Sequence, residues 1–289
     1  MSTGVANQAY SGLADDLTRA EGLLVAGRDE DAEKLLSSLA EDAEEYVDRN
    51  CHTTDKVQWF SFPTLFERLC YRRVENDPRE LYDVGEPLDR LYADLGLACV
   101  RLGDYARATE ALKQAVRWNP MECAYRLNLA DLYLTNGDER EFLALSFSVF
   151  ERASNAQHLV RAYLNFARHY ERTGQAELRA ACLRCARRLE MPSEQLEAEL
   201  DAVKGTDADP DSLDDARAQQ ILAEEGLPEG ANAEVAVCLL MCASDAAEVG
   251  DKNLATDLTV RARDLIGAPA ASALIQLIHE TDEEADTHA

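Results

Sequence analysis

Apolar residues recur every three to four positions along most of this chain, β-branched residues are sparse, and strict apolar–polar alternation is rare. That period belongs to helices that bury one stripe and leave the other faces to water. The pattern is interrupted by short turns at Gly27, Gly103-Asp104, Gly137-Asp138, Gly174 and Gly250-Asp251. A glycine followed by an aspartate suits a turn between two helices. The glycine takes the left-handed conformation that stops the first helix, and the aspartate caps the second. The pattern therefore predicts pairs of antiparallel helices joined by tight turns.

The best-formed pair is 89–120, where Leu95-Gly96, Gly103-Asp104-Tyr105, Ala108, Leu112, Ala115 and Pro120 mark a helix–turn–helix unit. A second copy starts at Cys123, with Leu129-Ala130, Tyr133 and Gly137-Asp138 in register and Phe142 where a small residue is expected. A third starts at Val160, with Tyr163, Phe166-Ala167, Tyr170, Gly174, Leu183 and Ala186, and Pro192 closing it. Eroded copies lie at 13–46, with Ala20, Leu23, Gly27 and Ala32, and at 236–269, with Ala243, Ala246, Ala255 and Ala262. Gly96, Ala130 and Ala167 hold the place where one helix must approach its mate closely.

This skeleton resembles the tetratricopeptide repeat family, strongly over 89–192 and weakly in the two flanking hairpins. The resemblance implies an all-α fold, a right-handed α-solenoid of stacked antiparallel hairpins, since a repeat that cannot bury its own face needs neighbours. The chain then divides into an N-terminal hairpin (1–50), a loop and connecting helix (51–87), a core of three units (88–192), a helix and linker (193–211) and C-terminal hairpins with one further unit (212–289). Within 51–87 a helix is expected from near Phe62 until Asn76-Asp77-Pro78, and residues 204–211 read as the linker. The aromatic run Trp59-Phe60-Ser61-Phe62 is expected to pack against its neighbours.

In that family the first helix of each hairpin lines a concave groove that holds peptides. Carrying the groove offsets over gives Arg90, Leu97 and Arg101 in the first unit, Asn128 and Asp131 in the second, and Arg161, Asn165, Arg168 and Arg172 in the third. The carboxylate-gripping pattern of one well-known subclass does not carry over, because Ala93 and Leu97 stand where it needs Lys and Asn.

Charge sharpens this picture. The formal net charge is −26, yet residues 145–192 carry eight arginines against four acids. A strongly acidic chain is a poor nucleic-acid ligand, because phosphate affinity comes from cation contacts. A basic island can still attract an acidic or extended protein segment, and arginine's planar fork suits carboxylates. Pairing with the chain's own acids is the competing reading.

The candidate chemistry is thin. Asp207, Asp209 and Asp211 have calcium-loop spacing, but Ser212 and Ala218 occupy the positions that need Gly and Glu. Cys182-x-x-Cys185 falls inside a helix, where buried small side chains are expected rather than zinc ligands. The five histidines (52, 158, 169, 279 and 288) have no metalloprotease spacing, and no nucleophile elbow or phosphate-binding loop occurs. No run of about 18 apolar residues exists to cross a membrane, and the N-terminus lacks a secretion pattern, so reduced cysteines and a cytoplasmic location are expected.

The expected function is a non-catalytic protein-interaction scaffold without cofactors, binding a protein or peptide and neither nucleic acid nor membrane. A homodimer through the end hairpins stays open. So do a regulatory protein acting through a transcription or signalling partner, and an enzyme or metal-binding protein on a helical scaffold.

Overall fold

Gly103 has φ +79°, and Asp104 Oδ1 accepts a hydrogen bond from the Arg107 amide at 3.1 Å. The turn thus ends one helix and caps the next as the sequence requires. In this computed structural model, which describes residues 12–287, the described residues form fourteen α-helices and two short strands. The chain divides into two compact units, residues 1–139 and 140–289. The division falls inside the 88–192 segment that the sequence reads as one core.

The first unit contains α1 (Leu13–Val25), α2 (Asp29–Asn50), β1 (Val57–Phe60), α3 (Leu65–Glu75), β2 (Glu80–Asp83), α4 (Leu88–Arg101), α5 (Tyr105–Trp118) and α6 (Cys123–Thr135). Helices α1 and α2 pair, α2 packs on α4, α4 pairs with α5, and α5 leads onto α6. The α4–α5 pair is close because Gly96 has no side chain. A Cβ there would stand 3.0 Å from Leu112 Cγ. Leu17, Ala20, Ala32, Leu36, Leu91, Ala98, Ala108, Ala115 and Leu127 are buried along the facing stripes.

The segment 51–87 is more than the expected loop and connecting helix. Strands β1 and β2 pair in parallel, Val57 opposite Glu80 through Phe60 opposite Asp83, with α3 as the crossover that parallel strands need. Thr64 accepts from the Phe66 amide while its own amide donates to Glu67 Oε2 at 3.1 Å, which fixes the start of α3. Asn76, at φ +48°, ends it. Phe60 stacks on Phe62 at 4.7 Å and meets Tyr71 at 4.5 Å, and Trp59 stacks on Tyr82 at 5.2 Å. The outer edge of β1 is blocked: the Trp59 carbonyl accepts from Arg117, and the Ser61 amide donates to the Trp118 carbonyl. On β2 the Leu81 carbonyl accepts from Arg68. These caps discourage strand addition from another chain.

The second unit contains α7 (Glu139–Arg152), α8 (Ala156–Arg172), α9 (Ala176–Arg188), α10 (Glu194–Val203), α11 (Asp215–Glu224), α12 (Ala233–Glu248), α13 (Lys252–Ile266) and α14 (Ala268–Thr287). Helix α8 begins four residues before Val160 because Asn155 Oδ1 accepts from the Gln157 amide and starts it earlier. Helices α8 and α9 pair, α9 also carries α10 and α11, and α12, α13 and α14 pack together. The expected linker at 204–211 is an ordered turn. Asp209 accepts from the amides of Gly205 and Asp211, and Pro210–Ser212 form a single 3-10 turn ahead of α11.

Candidate partner-binding face

In the first unit the predicted groove cations are engaged with the N-terminal hairpin. Arg90 on α4 forms an ion pair with Glu21 on α1. Arg101, three turns further along, pairs with Asp29 at 3.1 Å and donates to the Leu24 carbonyl at 2.7 Å. Both arginines fasten α1 and the start of α2 to α4 while staying partly exposed. Leu97 between them is 41% exposed. On α6, Asn128 and Asp131 lie one turn apart on an exposed face.

Beside Arg90 stands Asp94, whose Oδ2 is buried with no hydrogen-bond partner among the described residues. Burial pushes its carboxyl up to about 6, with Glu21 and Asp89 adding repulsion and Arg90 offsetting part of it. A half-buried acid this close to two others weakens the clasp as it ionises.

A buried node that the sequence did not reveal lies at the start of α4. Asp89 is 3% exposed, and its Oδ2 accepts from Asn119 Nδ2 and from the Tyr125 hydroxyl, each at 3.2 Å. Ser61 Oγ lies 3.2 Å from Oδ1 and accepts from the Leu88 amide at 3.0 Å. One carboxylate thus ties the end of β1, the closing turn of α5 and the start of α6 to α4. An acid one residue into a helix looks like an ordinary dipole contact, and its partners lie 28 to 36 residues away, so local spacing carries no sign of it.

In the second unit the groove offsets fall on α8. Asn165 is 6% exposed, and its Nδ2 donates to Ser146 Oγ on α7 at 2.9 Å. Ser146 in turn donates to the Phe142 carbonyl at 2.8 Å. Asn165 is therefore corrected from a groove amide to a core tie between α7 and α8. Arg161 and Arg168 are half-buried and Arg172 is exposed, at i, i+7 and i+11 along one stripe of the helix. Arg168 makes no ion pair among the described residues.

Arg184 Nε pairs with Asp215 at 2.7 Å, Arg187 with Asp211 at 2.7 Å, and Arg179 bridges Glu171 and Glu199 at 2.8 and 2.7 Å. The α9 part of the basic segment thus binds acids of the chain itself.

All eight cysteines are buried. Burial pushes the Cys182 thiol well up and the Cys185 thiol to about 11, which keeps both protonated at neutral pH. Among the described residues no group of His, Cys, Asp or Glu is placed to hold a metal ion, and no helix is long and apolar enough to cross a membrane. His279 and His288 lie outside the residues whose side chains are described.

Residues 89–120 match a family model described as tetratricopeptide repeat, over α4 and α5. No curated protein matches the chain.

Proposed function

We propose, from the tetratricopeptide-repeat match over residues 89–120 and the helical hairpins around it, that the chain is a non-catalytic interaction scaffold that binds an acidic or extended segment of a partner protein along α8. The observation that carries the proposal is the stripe of Arg161, Arg168 and Arg172 on one face of one helix in a chain of net charge −26. Cations gathered on one face attract carboxylates, and the guanidinium fork fixes how they dock. Surrounding acids restrict the partner by repelling acidic segments that do not meet the stripe. The engaged state of Arg90 and Arg101 moves the expected contact away from α4 and onto α8.

Fluorescence anisotropy of a labelled glutamate-rich peptide tests this. The wild-type chain should bind it with an affinity that falls as salt rises. An Arg161→Glu, Arg168→Glu variant with an unchanged circular dichroism melt should lose binding by roughly tenfold or more. A folded double variant that binds as wild type refutes the α8 reading.

A further inference from the structure

Between α12, α13 and α14 lies a cleft of about 330 Å³, a size that suits a small molecule. Leu240 and Ala243 from α12, Val260 from α13, and Ile275 and Ile278 from α14 make it apolar. No charged residue lines it, although charged residues make up 29% of the chain. A charge seated among these side chains would lose its water and gain no partner. The part of a ligand that enters the cleft is therefore uncharged.

Two polar groups toward one end of the cleft are unspent. Ser244, Thr256 and Thr259 also line it. The threonine hydroxyls donate to carbonyls one turn back, Thr256 to Lys252 at 2.7 Å and Thr259 to Ala255 at 2.8 Å. Ser244 makes no such bond among the described residues, so its hydroxyl proton is free to be given. Lys252 opens α13, and the lining residues Ala255, Thr256 and Thr259 follow it at i+3, i+4 and i+7, along the same stripe. It is exposed and makes no ion pair among the described residues. Asp251 beside it serves as the helix cap, accepting from the Leu254 amide at 3.1 Å, and Glu248 does not line the cleft. Helices α12 and α13 pair across the turn at 249–251, so Ser244 and Lys252 fall toward the same end. A carboxylate there meets the ammonium with its charge and takes a hydrogen from each group on its two oxygens.

We propose that this cleft binds an unbranched alkyl carboxylate of medium length, its head on Lys252 and Ser244 and its chain among Leu240, Val260, Ile275 and Ile278. The chain supplies affinity, since each methylene buried strengthens binding about fourfold. The head fixes which way round the ligand enters. The site shares no residue with the α8 stripe, so it gives the scaffold a small-molecule ligand independent of the partner segment.

The chain has four isoleucines, at 221, 266, 275 and 278, and the last two line the cleft. Isoleucine δ1-methyl NMR of the full chain therefore reads the site during titration with octanoate, butanoate and octan-1-ol. Octanoate should shift Ile275 and Ile278 saturably while Ile221 stays in place, and should bind at least about tenfold more tightly than butanoate. Lys252→Gln should weaken octanoate about fivefold and leave octan-1-ol within about a factor of two. Ala247→Phe fills the cleft from an exposed position of α12 and should abolish the shifts. Should that variant melt differently from wild type, the Lys252→Gln comparison decides alone. Unmoved Ile275 and Ile278, or an Ile221 that moves with them, overturns the site. Octan-1-ol binding as tightly as octanoate, or an undiminished Lys252→Gln variant, overturns the carboxylate assignment.

Discussion

Removing the Asp89 carboxylate tests whether one buried acid holds the first unit together. Asp89→Ala deletes the acceptor of two charge-assisted hydrogen bonds and leaves Asn119 Nδ2 and the Tyr125 hydroxyl facing each other without it. Bonds to a charged group are worth about 1.5–3 kcal/mol each. The substitution should therefore destabilise the unit by about 3–5 kcal/mol. Asp89→Asn keeps the shape and one carbonyl oxygen for the two donors, and should cost about 1–2 kcal/mol. Tyr125→Phe should cost about 1–2 kcal/mol alone and much less in the Asp89→Ala background, a coupling of about 1 kcal/mol or more. The chain's two tryptophans, Trp59 and Trp118, both lie in the first unit, so urea unfolding followed by tryptophan fluorescence reports this unit. A shift below about 1 kcal/mol for Asp89→Ala, or additive effects in the double variant, refutes the reasoning by showing that the carboxylate does not support its neighbours.

Gly96→Ala gains about 1 kcal/mol of helix propensity, but its Cβ would press on Leu112 at 3.0 Å, an overpacking of about 1–3 kcal/mol. The net should be a loss of about 0–2 kcal/mol, and Gly96→Val should lose more; a valine variant as stable as wild type in the tryptophan-monitored melt contradicts the close-approach account. Asp94 has a folded pKa of about 6, above its ordinary value, so the folded chain binds the proton more tightly and stability falls as pH rises from about 4 to about 6. Asp94→Asn should flatten that slope and stabilise the neutral-pH protein by about 1–2 kcal/mol after solvent screening, read from urea midpoints across pH. Cys182 and Cys185 should resist a thiol reagent at pH 8 in the folded protein and react on unfolding, as mass spectrometry of the labelled peptides would show.

The hairpins were legible because their determinants are local. A Gly-Asp turn and a small residue one turn from a leucine lie within a dozen positions of each other, and Gly103, Asp104 and Gly96 do what that spacing demands. The strands were hidden because VQWF and ELYD are four residues each, too short for alternation to show, and they find each other only through the α3 crossover. The groove offsets name residues of α4 and α8 but carry no sign of what those residues already touch. Arg90 and Arg101 meet acids about 70 positions earlier in the chain, and Asn165 meets a serine on the preceding helix. A periodic reading assigns a residue to a face; only packing decides whether that face is open.

Helix α9 supplies an internal example of the recognition proposed for α8. Arg184 and Arg187, one turn apart, hold Asp215 and Asp211, and Arg184 also donates to the Pro210 carbonyl at 3.2 Å. An arginine-bearing helix of this fold therefore does seat an acidic turn, gripping carboxylates and backbone together. Those aspartates are largely exposed, and exposed pairs contribute about 1 kcal/mol or less each. Three such contacts sum to about 3 kcal/mol, short of the roughly 8 kcal/mol of a micromolar complex. On α9 the difference is covered by the chain connection, which makes the contact intramolecular. A separate partner on α8 has no such help. Charge alone gives it register and rate, and affinity must come from groups desolvated more deeply than the Asp211 and Asp215 pairs, which directs attention to the half-buried Arg161 end of the stripe rather than to exposed Arg172.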